Sequence, residues 1–214
     1  PVKELALSEG IPVYQPERIR RKAEVETLRN LRPDLILVAA YGQILSKAIL
    51  DMAPCINAHA SLLPHYRGSS PIQRAIAAGD AVTGVTAMRM NEGVDTGNII
   101  FTREVPITDQ DTGDSLEEKL AETGAEALVA VLKAREAGDD LVGTPQDESQ
   151  ATHAPMLSRE DGKMDWNLSA RQMDQAVRAF TSWPSSYTLW KGKTLKVQAA
   201  RVFRETGRPG GHPN

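Results

Sequence analysis

Asp34-Leu-Ile-Leu-Val-Ala-Ala-Tyr41 is a nearly continuous apolar run, too short for a typical buried helix and rich in branched side chains. Such a run reads as a strand covered on both faces, as in parallel sheets, because a strand with one wet face alternates apolar with polar residues. Helix-like and strand-like stretches alternate around it. Residues 16–31 read as a helix, with apolar positions at Ile19, Val25 and Leu28 and a stop at Pro33. A short helix is expected through Ile49 and Leu50, then a strand at Cys55-Ile-Asn-Ala58. Ser70-Pro-Ile-Gln73 predicts a helix start, with serine as cap, proline in the first turn and Gln73 completing a capping box; Gly79 ends that helix. Residues 83–90 and Ile99-Ile-Phe101 are strand-like, on either side of the Gly93-Val-Asp-Thr-Gly97 loop. Ser115-Leu-Glu-Glu118 predicts a second capping box, opening a helix that reaches Glu136 and ends at Gly138. The alternation predicts an α/β sheet with helices on its faces.

Beyond residue 138 the texture changes. Residues 139–158 are polar, carry Pro145 and Pro155, and read as a linker. Ser169-Ala-Arg-Gln172 predicts another capped helix, reaching Phe180. Residues 187–190 and 194–197 flank Lys191-Gly192 as a β-hairpin, and the Gly/Pro-rich residues 207–214 do not continue it. With 214 residues, 41% of them hydrophobic, the chain has material for one large domain or for one domain and part of another. Residues 1–150 carry 15 Lys+Arg against 23 Asp+Glu, whereas residues 151–214 carry 10 against 5, so a basic end follows an acidic body and suits a polyanionic partner. Cys55 is the only cysteine, which excludes disulfides and cysteine-based metal sites. With no secretory h-region in the first residues and no run of membrane-spanning length, a cytoplasmic location is expected, in a bacterial cytosol or an organelle matrix.

The chemistry concentrates in two segments. Asn57 and His59 lie two apart on a predicted strand and so project from one face, near a strand end where α/β sheets place their ligands. Asp95 sits in the glycine-flanked loop. Taken singly, Asn57 reads as a turn or capping residue, His59 as a satisfied core histidine and Asp95 as a turn former. Taken together they offer an amide and an imidazole that can both donate to a developing oxyanion, plus a carboxylate that would orient the ring and favour its charged form. That set suits acyl-type transfer through a tetrahedral intermediate, without metal or covalent nucleophile. The spacing of His59, His65 and Asp95 matches no familiar zinc pattern, no Gly-x-Ser-x-Gly elbow makes Ser61 a nucleophile, and no phosphate-binding glycine motif is present. Cys55 reads as a small buried hydrophobe and Arg67 as a loop arginine or an anion contact. Trp166, Trp183 and Trp190 read as core or turn anchors in preference to base-stacking residues.

Asn57-Ala-His-Ala-Ser-Leu-Leu-Pro64, Tyr66-Arg-Gly68, Pro71-Ile-Gln-Arg74, Thr83-Gly-Val-Thr86 and Gly93-Val-Asp-Thr-Gly97 resemble the folate-dependent formyltransferases. Pro71-Ile-Gln-Arg74, Met164-Asp-Trp166, Arg178-Ala-Phe180 and Trp183-Pro184 resemble the branch that acts on methionyl-tRNA. The resemblance implies a Rossmann-like sheet followed by the start of a small OB-like β-barrel. It divides the chain into a catalytic domain over residues 1–138 that lacks its first βαβ unit, a linker over 139–158, and a partial tRNA-binding barrel over 159–214. The implied donor is 10-formyltetrahydrofolate, the implied acceptor initiator methionyl-tRNA, and the implied products tetrahydrofolate and formylmethionyl-tRNA for translation initiation. Asn57, His59 and Asp95 would be catalytic; Ser61, Leu62, Leu63 and Pro64 would line the folate pocket. No metal is expected, and a monomer is. A chain truncated at both ends would be poorly active. An amino sugar nucleotide as acceptor, or a non-catalytic folate- or RNA-binding remnant, are the alternative readings.

Overall fold

One mixed sheet organises the chain, with strands in the order β1 (Ile36–Ala39), β2 (Cys55–His59), β3 (Val82–Arg89) and β4 (Ile99–Pro106). The computed structural model describes residues 2–203, so the expectation for residues 207–214 lies outside the described residues. β1 and β2 are parallel, whereas β2–β3 and β3–β4 are antiparallel. The strand in the apolar run at 34–41 thus pairs in parallel, as that run suggests, but the rest of the sheet is antiparallel. β3 and β4 are joined by residues 90–98 alone, too short for the crossover that a parallel pair needs. β1 is the outermost strand of this sheet, and Val38 is its one buried residue.

Two layers of helix close the core. The long α5 (Gly113–Glu136) lies on one face, its Leu116, Leu120, Ala127 and Val131 meeting Ile56, Val85, Ala87 and Val105 of the strands. At Gly124 a Cβ would meet that of Ala58 at 3.9 Å, ordinary van der Waals contact between helix and strand. On the other face α2 (Lys22–Asn30) and α3 (Lys47–Leu50) bring Val25 and Ile49 against Val38 and Cys55. Ile49, Ile56, Ile76 and Leu116 are 0–1% exposed; full burial of such a side chain contributes about 1.5–3 kcal/mol. α4 (Pro71–Ala78) and α6 (Ala170–Ala179) pack side by side, so Ala179 and Phe180 share a core with Ile76 and Leu116. The hairpin β5 (Ser186–Trp190) and β6 (Lys193–Val197) forms a second, two-stranded sheet. The helix α1 (Val2–Ser8) buries none of its residues.

Local chemistry explains where the helices begin. α6 has the expected capping box of Ser169 and Gln172. α5 starts earlier than expected, capped by Thr112 with Ser115 in the reciprocal role. The cause is Asp111, whose buried carboxylate accepts from the Ser115 hydroxyl at 2.9 Å, from Lys119 at 2.7 Å and from the Thr108 amide at 2.8 Å. Burial alone would push that carboxyl up, but these bonds hold it well below the usual range. Ser70 occupies the cap position of α4 without a side-chain capping bond, because its ψ of 45° departs from the extended backbone a cap requires. Residues 16–21, expected to be helical, stay irregular where Gln43 accepts the Ile19 N–H at 2.9 Å and donates to the Pro16 carbonyl.

Candidate active site

β2 delivers Asn57 and His59 to the sheet face opposite α5. Cys55, the first of that alternating row, enters the apolar cluster of Val25, Val38 and Ile49, which fixes the side on which the row points. Antiparallel pairing sets Asn57 against Met88 and His59 against Thr86. Asn57 is half-buried, and its amide has no hydrogen-bond partner among the described residues. An amide so placed, amid packed and bonded neighbours, has donors to spare for a ligand.

His59 is only 6% exposed. Its Nε2 lies 2.9 Å from the Tyr66 carbonyl oxygen; a carbonyl can only accept, so this nitrogen carries a proton. Nδ1 faces the Asp95 carboxylate at 3.7 Å, an ion-pair distance longer than a hydrogen bond. Nδ1 is the nitrogen left to exchange a proton with a reacting group.

Asp95 reaches the ring from the loop between β3 and β4. Asn91 closes that loop by accepting from the Gly93 N–H at 2.9 Å and from the Thr96 hydroxyl at 2.8 Å. A Cβ on Gly97 would lie 1.7 Å from the Arg89 carbonyl oxygen, so only glycine lets the chain pass the end of β3. Asp95 itself has φ +52°, a left-handed conformation that aspartate visits more readily than most residues. Its Oδ2 accepts the Gly68 N–H at 2.9 Å. The carboxylate thus sits between a backbone amide and the imidazole.

The turn after His59 is built from Ser61-Leu-Leu-Pro64. Ser61 is fully buried and donates its hydroxyl to the His65 carbonyl at 2.6 Å. Its own carbonyl accepts from the Thr86 hydroxyl at 2.7 Å, and that hydroxyl accepts the Leu63 N–H at 3.0 Å. Leu63 is buried, and the Pro64 carbonyl accepts the Thr152 N–H at 3.2 Å. Leu62 lines an open cavity of about 310 Å³ with His65, Tyr66, Asp80, Thr83 and Thr152. At its rim the Tyr66 hydroxyl donates to Asp80 at 2.6 Å, and burial together with that bond pushes the phenol far up.

Several side chains that the sequence left unmarked support this arrangement. Thr86 braces the turn. Gln146, inside the polar stretch 139–158, donates to the carbonyls of Asp95 at 2.9 Å and Gly97 at 2.7 Å. Arg67 is 4% exposed and bonded to Gln146 and Glu148, so it is a buried anchor instead of a loop arginine open to an anion. Contacts across such separations leave no local sequence signal. Of the two roles expected for the tryptophans, core or turn anchor, burial excludes the first: Trp166, Trp183 and Trp190 are 49%, 57% and 62% exposed, while Trp166 donates to Thr188 and so ties itself to the hairpin, and Trp190 ends β5 at its turn. Cys55 is buried, as its character suggests. Among the described residues, no group of three His, Cys, Asp or Glu side chains could hold a metal ion, and no helix is long and apolar enough to cross a membrane.

The Formyl transferase family model matches residues 1–132, and that of the Formyl transferase C-terminal domain matches residues 156–212. The chain belongs to the formyl transferase family. Among the relatives of this formyl transferase, a protein named methionyl-tRNA formyltransferase from Agathobacter rectalis is 50% identical over 95% of this chain and 66% of its own length. One of the same name from Marinobacter nauticus is 45% identical over 96% of this chain and 66% of its own length. The chain spans about two thirds of the length of these curated relatives. Solved structures share the fold. A methionyl-tRNA formyltransferase from Clostridium thermocellum superposes with a TM-score of 0.70 at 18% identity, over 96% of this chain and 88% of that one. HypX from Aquifex aeolicus, in complex with tetrahydrofolic acid, gives 0.71 at 23% identity, over 87% of this chain and 33% of that one.

Proposed function

We propose that this formyl transferase moves the formyl group of 10-formyltetrahydrofolate to the α-amino group of initiator methionyl-tRNA. The observation that carries the reading is the approach of His59 and Asp95 to 3.7 Å on the sheet face that also presents the unpartnered amide of Asn57. The names of the relatives at 45–50% identity support the acceptor.

In this reading the methionyl nitrogen attacks the formyl carbon, a C–N bond forms, and the carbonyl electron pair moves onto oxygen. Asn57 donates its amide N–H to that oxyanion; a preorganised donor of this kind typically contributes about 10²–10³ in rate. His59 Nδ1 takes a proton from the attacking amine; as an imidazolium it then shares the oxyanion, and it hands that proton to the folate nitrogen as the carbonyl re-forms and the bond from the formyl carbon to that nitrogen breaks. Asp95 holds the ring in place, itself steadied by the Gly68 amide. The turn of Ser61, Leu62, Leu63 and Pro64 borders the folate, with the half-buried Leu62 side chain facing the open cavity and the Ser61 hydroxyl bracing the turn from within. No metal enters the scheme.

The acceptor end of tRNA would meet the region after residue 158. There Trp190 carries Lys191 over its ring at 4.7 Å, and Lys193 and Lys196 lie on the adjacent strand, a combination of stacking faces and cations that suits a nucleic acid. We read residues 1–138 as the catalytic part and 159–214 as part of a tRNA-binding barrel. A cytosolic or organelle-matrix monomer fits that role. The test is an acceptor competition: the full-length protein, supplied with 10-formyltetrahydrofolate, should formylate methionyl-tRNA and leave amino sugar nucleotides untouched. Formylation of the sugar nucleotide alone would overturn the acceptor, and turnover of neither would favour a non-catalytic remnant.

A further inference from the structure

Gln146 spends its whole amide on the candidate site. Its Nε2 donates to the carbonyl of Asp95 at 2.9 Å and to that of Gly97 at 2.7 Å. Its Oε1 accepts from Arg67 Nε at 3.0 Å and Nη2 at 2.8 Å. A primary amide offers two donors and two acceptor positions, and all four are used. The guanidinium that sets the amide's orientation is itself fixed, because Arg67 also donates to both Glu148 oxygens, at 2.9 and 2.8 Å. Backbone bonds hold the surrounding strip. Thr144 exchanges two 2.8 Å hydrogen bonds with Ile99, and Arg67 pairs with residues 152 and 154 at 2.9 and 2.7 Å.

The consequence falls on one residue. Asp95 is gripped at its carbonyl by Gln146 and at its carboxylate by the Gly68 N–H, and it has φ +52°. Gly68 belongs to the same strip, directly after Arg67, so both grips come from one network. We propose that Gln146 is a positioning residue for the transfer reaction: it holds the 93–97 loop so that the Asp95 carboxylate stays against His59, and it makes turnover depend on the stretch after α5. The proposal rests on the formyl-transfer reading of the Asn57, His59 and Asp95 group.

Glutamate isolates the point. Gln146→Glu keeps the size and can still accept from Arg67, but it removes both donors and sets an oxygen against two carbonyls. In the full chain, kcat should fall by about 10–100-fold, the scale of a small misplacement of a reacting group. KM for 10-formyltetrahydrofolate should stay within about threefold, because no group touching the donor has changed. Combined with Asp95→Asn the loss should not grow beyond that of Asp95→Asn alone, since both act through one carboxylate. The Gly68 amide resonance, reporting the bond to Asp95, should move in Gln146→Glu. Parental kcat, a loss confined to KM, losses that multiply in the double variant, or an unmoved Gly68 resonance would each overturn the clamp. The underlying reading fails separately and visibly: His59→Ala and Asp95→Asn would then leave turnover unchanged, whatever the Gly68 resonance does.

Discussion

Thr86 offers the sharpest quantitative test of how the turn at Ser61 is held. Its side chain is fully buried, and its hydroxyl donates to the Ser61 carbonyl at 2.7 Å while accepting the Leu63 N–H at 3.0 Å. Neither backbone group has a second partner among the described residues. Thr86→Val keeps the shape and strands both groups away from water. Each orphaned group costs about 1–3 kcal/mol. The methyl that replaces the hydroxyl gives back about 1 kcal/mol, leaving a net loss of about 1–5 kcal/mol for the two groups together. For a chain of this size that lowers the unfolding midpoint by roughly 2–20 °C. Thr86→Ser is the control: it restores the hydroxyl and loses one methyl, a loss of about 1 kcal/mol. Thermal unfolding followed by near-ultraviolet circular dichroism reads both. A Val variant as stable as the parent, or a Ser variant falling as far as the Val variant, would refute the bracing role.

Other perturbations follow from the same geometry. Gly97→Ala forces a methyl against the Arg89 carbonyl, where its Cβ would lie 1.7 Å away; the strain should cost about 1–3 kcal/mol and reduce turnover, as a melt and a rate assay on one preparation would show. Burial pushes the Cys55 thiol up to about 11 from 9.0. The neutral thiol favoured by the fold gives full stability below pH 9, and that advantage is lost as pH rises towards 11. In urea titrations the parent should therefore lose stability relative to Cys55→Ala between those values, and equal behaviour would refute it. Asp111 has the opposite sign: its carboxyl is held low, so its contribution is present above the ordinary carboxylate range and fades as pH falls through its folded value. Asp111→Asn should destabilise at pH 7 and converge on the parent in acid; a constant gap across that range would contradict it.

Local signals in the sequence reached far into the fold, for reasons that can be named. The apolar run at 34–41, the capping box at Ser169 and the polar dipeptide at Lys191 each encode their structure within a few residues, and β1, α6 and the β5–β6 hairpin lie there. Strand direction is not local: the short 90–98 connection fixes β3–β4 as antiparallel, but β2–β3 is antiparallel across residues 60–81, a longer connection carrying α4 that would also permit a parallel return. The start of α5 depends on Asp111, which draws in Ser115 and Lys119 together. For the site, side-chain alternation placed Asn57 and His59 on one face, and the glycines around Asp95 marked a tight loop. The carbonyl contact of Tyr66, the brace from Thr86 and the clamp by Gln146 lie beyond such reasoning. They arise from residues 7, 25 and 51 positions away from the groups they touch, and the polarity of the 139–158 stretch disguised a structural strip as a linker.

One rate measurement bears most directly on the chemistry. Single-turnover transfer from 10-formyltetrahydrofolate to methionyl-tRNA, compared between the full parent chain and His59→Ala, should slow by about 10²–10⁴-fold if the ring moves the proton. A slowing of less than tenfold, with the variant folded, would contradict the assignment of His59 and with it the proposed route.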